Sequence, residues 1–201
     1  MDRNVKERYI KEAVNEGSDR YRLRSLFLCA IFGCSAEIAS SLILGAVLSF
    51  FPDIAATYSG QIDSQLSLGL ISIFRVVVFA PLFEEALFRY MLLGIMERRI
   101  GFTEANIVQA LIFGIYHMSL IQGIYAFLLG MLIGLLKYYT GTVKSCICFH
   151  VLFNITGVLV NRYVPAEIGS GIRITVMLAA LALSAALFIF IRRNRCGAQT
   201  A

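Results

Sequence analysis

Residues 84–89 read Glu-Glu-Ala-Leu-Phe-Arg in the middle of an apolar stretch, and paired carboxylates in that setting could do acid–base chemistry. On a helix, Glu85 and Arg89 stand at i and i+4 and can form an ion pair. Glu84 points about 100° away, so the two neighbouring carboxylates have different environments, the separation that keeps one of them free for chemistry. Pro81 lies just upstream, where it interrupts the backbone ladder or opens a new helical segment. A plainer account is a helix end reaching cytoplasmic water, with Glu85–Arg89 a surface pair worth under about 1 kcal/mol. The chain's 2 histidines also lie in apolar stretches. His117 closes Phe113-Gly-Ile-Tyr-His117, and His150 opens His150-Val-Leu-Phe-Asn154, which puts imidazole and amide on one helical face. Interhelical hydrogen bonding would explain them as packing. Two intramembrane histidines, one with a helical Asn partner, also fit a functional site.

The elements that must hold these residues follow from composition. The chain has 201 residues, 58% apolar and 15% charged, where a soluble domain has about 45–50% and about 25%. A transmembrane helix takes about 20 residues, so beyond a charged stretch of residues 1–25 there is room for about six. They are expected at 26–51, 67–93, 102–118, 121–139, 145–161 and 172–191, with a polar loop up to Gln65. Helices are the expected form because they satisfy their own backbone in lipid. The reading is an all-α, polytopic membrane protein with a cytoplasmic segment 1–25, a helical domain 26–191 and a basic cytoplasmic tail 192–201. A soluble globular domain, a disordered chain, a disulfide scaffold and a repeat array all fit poorly.

The charges orient this arrangement. Arg3, Lys6, Arg8, Lys11, Arg20, Arg22 and Arg24 precede the first apolar run, and Arg192, Arg193 and Arg195 follow the last. With both termini inside, Arg89, Arg98, Arg99, Lys137 and Lys144 also fall inside; Arg162 and Arg173 fall outside, and Arg75 lies within a span. That bias is the positive-inside pattern. A nucleic-acid partner would need a basic face on a folded domain, and these clusters flank hydrophobic segments instead. Four of the 5 cysteines, Cys29, Cys34, Cys146 and Cys148, lie in apolar stretches and read as small apolar filler.

Two further charges need partners, since an ionisable residue inside a span costs about 2.5–3.5 kcal/mol on insertion scales. Glu37 lies about 16 Å into span 1 from the inner side and Arg75 about 12 Å into span 2 from the outer side. In a hydrocarbon core about 30 Å thick those depths nearly coincide, and a structural Glu37–Arg75 ion pair is expected.

The three motifs in order, EExxxR, FxxxH and HxxxN, resemble the CPBP family, the CAAX prenyl proteases and bacteriocin-processing proteins, also called the ABI family of intramembrane proteases. The resemblance covers about residues 67–160. It implies a helical membrane fold around a cavity and peptide-bond hydrolysis there. On this chain it implies that Glu84 activates the attacking water with help from His117. His150 and Asn154 would polarise the scissile carbonyl and hold the oxyanion, and Glu85 and Arg89 would keep the motif in shape. Donors fixed in low dielectric stabilise developing charge strongly. Zinc or another divalent metal is an open question for the family. Glu84, His117 and His150 could form a His₂Glu site, although no dedicated metal motif is present, and Cys146, four residues before His150, is a further conceivable ligand. Many members place Trp and Pro before the third motif; here the segment is Val143-Lys-Ser-Cys-Ile-Cys-Phe149, which implies a different entry turn.

A span beginning at Phe102 puts His117 about 22 Å along. The polar opening Thr103-Glu-Ala-Asn106 suggests membrane entry nearer Ile107 and a shallower His117. Gly130-Met-Leu-Ile-Gly134 is expected to serve close packing within the monomer. The expected partners are a peptide or protein substrate and the lipid bilayer, in a bacterial cell membrane. By analogy with the family, bacteriocin or signal-peptide maturation, or self-immunity, is favoured over CAAX processing. A non-catalytic membrane immunity or peptide-binding scaffold of the same fold is the alternative. A proton- or ion-coupled transporter is a third reading, disfavoured because the candidate chemistry is confined to spans 2, 3 and 5 and not repeated in matching positions of two halves.

Overall fold

The computed structural model describes the backbone of residues 3–66, 69–164 and 169–198, and the side chains of 23–64, 69–164 and 169–194. All regular structure among these residues is helical. Helix α1 (Arg3–Leu48) is unbroken, so the charged N-terminal stretch runs directly into the apolar part, Leu23–Leu48. The side chains of most of the expected juxtamembrane segment lie outside the described residues.

Helix α2 (Pro52–Leu66) occupies what was expected to be a polar loop. Pro52 at the first helical position needs no N–H there, and Asp53 faces the positive end of the helix dipole. Residues 70–100 then form one continuous helical path of changing pitch: α3 (Leu70–Phe74), π1 (Arg75–Phe79), α4 (Ala80–Glu84), π2 (Glu85–Leu93) and α5 (Gly94–Ile100). After it come α6 (Phe102–Tyr116), α7 (Leu120–Thr140), α8 (Val143–Tyr163) and α9 (Ser170–Ala198).

Among the described residues, each of the six expected apolar segments is helical over most of its length. Four helices are long and apolar enough to cross a membrane: Leu23–Leu48, Leu120–Thr140, Val143–Tyr163 and Ser170–Asn194. Residues 70–100 carry Arg75, Glu84, Glu85 and Arg89 and pass into π-helix twice. Helix α6 has 15 residues, about 22 Å at the usual rise. The span in α9 has a mean hydropathy of 2.7 yet only 6% of it is buried in the chain. An apolar helix turned outward on that scale needs lipid, not water, as its surroundings.

The main core joins α1, α7, α8 and α9 through Cys29, Phe32, Leu129, Ile133, Leu136, Cys146, Phe149, Phe153 and Ile191. At Gly33 α1 approaches the backbone of α8 so closely that a Cβ would lie 2.3 Å from the Phe149 carbonyl oxygen. Gly130 and Gly134 face α6, where a Cβ would sit 3.2 Å from Ala110 Cα and 1.7 Å from Asn106 Oδ1, respectively. The GxxxG therefore packs two helices of one chain, as expected.

Glu37 and Arg75 do not pair. Arg75 is exposed and has no ion pair among the described residues. Glu37, 6% exposed, accepts hydrogen bonds from Tyr125 on α7, from Ser41 Oγ at 2.7 Å and from Ser40 Oγ at 3.3 Å. Similar depth placed the two charges at one height but said nothing about direction around the bundle. Helix α1 packs on α8 and α9, whereas π1 packs on α8, α3 and α4.

Candidate active site

The site begins with a proline. Ala80 N–H bonds to the Arg75 carbonyl, an i→i−5 bond that makes the turn π-helical. In that register the next carbonyl, Val76, would take the N–H of residue 81, and Pro81 has none. Asn154 supplies the missing donor: its Nδ2 lies 3.0 Å from Val76 O. The proline thus widens the turn ahead of Glu84 and leaves a free carbonyl that fixes Asn154 on α8. Local π-helix is common where a helix carries a functional residue.

Glu84 ends α4 and Glu85 begins π2. Both are buried, at 8% and 0% exposure, and converge on His150 at 3%. His150 Nδ1 is 2.7 Å from Glu85 Oε1, and its Nε2 is 3.7 Å from Glu84 Oε2. Beside the Glu85–Arg89 ion pair, Nδ1–H donates to Glu85, and that bond orients the ring. The arrangement is an imidazole oriented by one carboxylate and aimed at a second, the geometry by which a base and its partner are held for reaction.

Arg89, also 0% exposed, holds Glu85 from behind at 3.2 Å between Nη1 and Oε1. Its Nη2 reaches the Gly130 carbonyl at 3.4 Å, and its guanidinium lies 4.7 Å from the centre of the Phe113 ring, a cation–π contact. Phe113 touches both histidines edge-on, with ring centres 4.8 Å from His117 and 6.2 Å from His150. His117 caps the end of α6, with Nδ1 on its own Phe113 carbonyl at 2.9 Å, so Nε2 is the nitrogen left for other work. It makes neither an ion pair nor a hydrogen bond with Glu84 among the described residues.

The structure therefore gathers Glu84, Glu85, Arg89 and His150 into one buried network, places Asn154 beside it on the π1 carbonyl, and sets His117 one aromatic ring away. Of the three expected metal ligands, Glu84 and His150 come together and His117 is not joined to them; among the described residues no group of three or more His, Cys, Asp or Glu is arranged to hold an ion. The bond from Nδ1 to Glu85 leaves His150 Nε2 open as a ligand. Cys146 is fully buried in the core, its Sγ 3.7 Å from the Ile133 carbonyl and 3.6 Å from that of Thr142, which is a packing role.

Sequence reasoning missed Asn106 and Gln109. Asn106, read as part of the polar opening of a span, and Gln109 are 2% and 0% exposed against α7. Asn106 Nδ2 donates to Met131 O at 3.1 Å, and Gln109 Nε2 donates to Asn106 Oδ1 at 2.8 Å and to Gly130 O at 3.0 Å. The available signal was spacing: Asn106, Gln109, Phe113 and His117 recur at i, i+3, i+7 and i+11, one face of α6.

The chain matches no curated protein and no solved structure. Residues 66–156, the stretch that carries all three motifs, match the family model described as type II CAAX prenyl endopeptidase Rce1-like.

Proposed function

We propose that this chain is an intramembrane endopeptidase that hydrolyses a peptide bond of a membrane-associated peptide or protein. The observation that carries the reading is His150 held between two buried carboxylates within apolar helices. Atoms 3.7 Å apart share a set of points about 2.8 Å from each, where a water oxygen would be in hydrogen-bond reach of both. Glu84 takes a proton from that water as its oxygen attacks the carbonyl carbon, and the proton passes to the leaving nitrogen. His117 Nε2 is a further partner of the water. His150 Nε2–H, which meets the water before the attack, passes to the oxyanion as it forms, with the Asn154 N–H not used on Val76 as the second donor; both His150 nitrogens then carry a proton. Glu85 and Arg89 fix His150. Were a divalent metal held here, Glu84 and His150 Nε2 would be its ligands and it would polarise the water and the scissile carbonyl.

The positive-inside bias supports six spans with both termini cytoplasmic, and the substrate then enters from the cytoplasmic side or laterally from lipid. A bacterial membrane and a role in bacteriocin maturation or immunity belong to the same proposal. The test compares peptides released by cells making the wild-type protein with those from Glu84→Gln at matched membrane levels. Peptides lost in the variant are the expected result. Identical profiles with an intact phenotype would replace this reading with a non-catalytic, peptide-binding one.

A further inference from the structure

We propose that Gln109 is a positioning residue for this site, acting through the Gly130 carbonyl that it shares with Arg89; the inference rests on the peptidase reading above. The chain of contacts is continuous. His150 is oriented by Glu85, Glu85 is held by Arg89, and Arg89 Nη2 bonds Gly130 O at 3.4 Å, a long bond. Gln109 Nε2 bonds the same oxygen at 3.0 Å. The orientation of its amide is fixed, because both of its partners, Gly130 O and Asn106 Oδ1, are acceptors and only the NH₂ end can face them.

Arg89 depends on this arrangement because it has little else. Its Nε and Nη1 are buried without a hydrogen-bond partner, as are Glu85 Oε2 and Gln109 Oε1. The hydrogen bond from Nη2 to Gly130 O, the ion contact with Glu85 and the Phe113 ring below are what locate the guanidinium. Gln109 and Phe113 are i and i+4 on α6, so one face of that helix both supports the arginine and fixes the carbonyl to which it binds. Asn106 anchors Gln109 in turn, and Gly134 is glycine because any Cβ would meet the Asn106 oxygen. Gln109 touches no reacting atom; it sets the position of Arg89, and through Glu85 the angle at which His150 faces Glu84.

The test uses the full-length protein in vesicles and a quenched reporter built on a peptide that the Glu84→Gln comparison identifies. Gln109→Met keeps length and burial but removes the amide. The expected result is a fall in kcat of about tenfold with KM within about twofold and an unchanged melting temperature. A wild-type kcat per folded molecule overturns the proposal, since a purely packing role lowers stability or yield and leaves turnover alone. If the methionine variant does not accumulate, Gln109→Glu reads the same quantity: its carboxylate competes with Glu85 for Arg89, and kcat falls at constant KM. Loss of activity in Glu84→Gln with normal turnover in the Gln109 variants rejects this inference alone. Activity retained in Glu84→Gln rejects the peptidase reading and this inference with it.

Discussion

Two carboxylate clusters are buried in this bundle, and they are finished differently. Around Glu37 the partners are hydroxyls: Tyr125, Ser40 and Ser41 donate to both of its oxygens, and neither oxygen lacks a partner. Around Glu84 and Glu85 the partners are an imidazole and a guanidinium, and four buried polar atoms have no hydrogen bond. Each such atom costs about 1–3 kcal/mol, an imbalance that packing alone has no reason to keep. A saturated carboxylate fastens helices together. The carboxylate oxygen without a partner belongs to Glu85; Glu84 beside it faces His150 at 3.7 Å, and in the peptidase reading it is the one left to take a proton.

The contrast is broken most directly at Glu84. Glu84→Gln is expected to lower kcat by roughly 10²–10⁴-fold, the usual worth of a general base, with the unfolding transition unmoved. A loss of stability at unchanged turnover would make the two clusters alike. Pro81→Ala tests how the active cluster is positioned. A restored N–H can bond Val76 O and displace Asn154 from it, and a fall in kcat of about tenfold is expected. Full activity in this variant would count against a part for the proline in holding Asn154 at the site. The smallest effect belongs to Glu37→Gln, which keeps an acceptor for Tyr125. It should leave kcat per folded molecule within about twofold and cost about 1–2 kcal/mol of stability; a large drop in turnover would give Glu37 a part in the chemistry.

The helical membrane character and the location of the motifs were legible in the sequence, because apolar runs and i, i+4 spacings are properties of the chain itself. So was the Glu85–Arg89 pair. The partner of Glu37 was not: depth can be counted along a helix, but which helix stands opposite depends on tertiary packing, and here it is α7. The change of pitch at Pro81 hid the use made of Asn154. The motif puts Asn154 on the face of His150 but does not show that one of its protons goes to Val76. Asn106 and Gln109 were hidden for another reason. Uncharged amides near a helix start look like solvent-facing residues until a glycine-lined partner is placed against them.

The brevity of α6 has a consequence for the surrounding lipid. Fifteen residues rise about 22 Å, against a hydrocarbon slab of about 30 Å. If α6 crosses the bilayer with its neighbours, the leaflets must pinch toward it, and the dimple falls at the end that carries His117. Such a deformation brings headgroup water nearer the reaction and lowers the work of presenting an unwound peptide bond to it. Hydrophobic mismatch then becomes a control on turnover. Vesicles of longer-chain lipids should slow the protein relative to short-chain ones, and a rate indifferent to acyl length would show that α6 does not shape its bilayer.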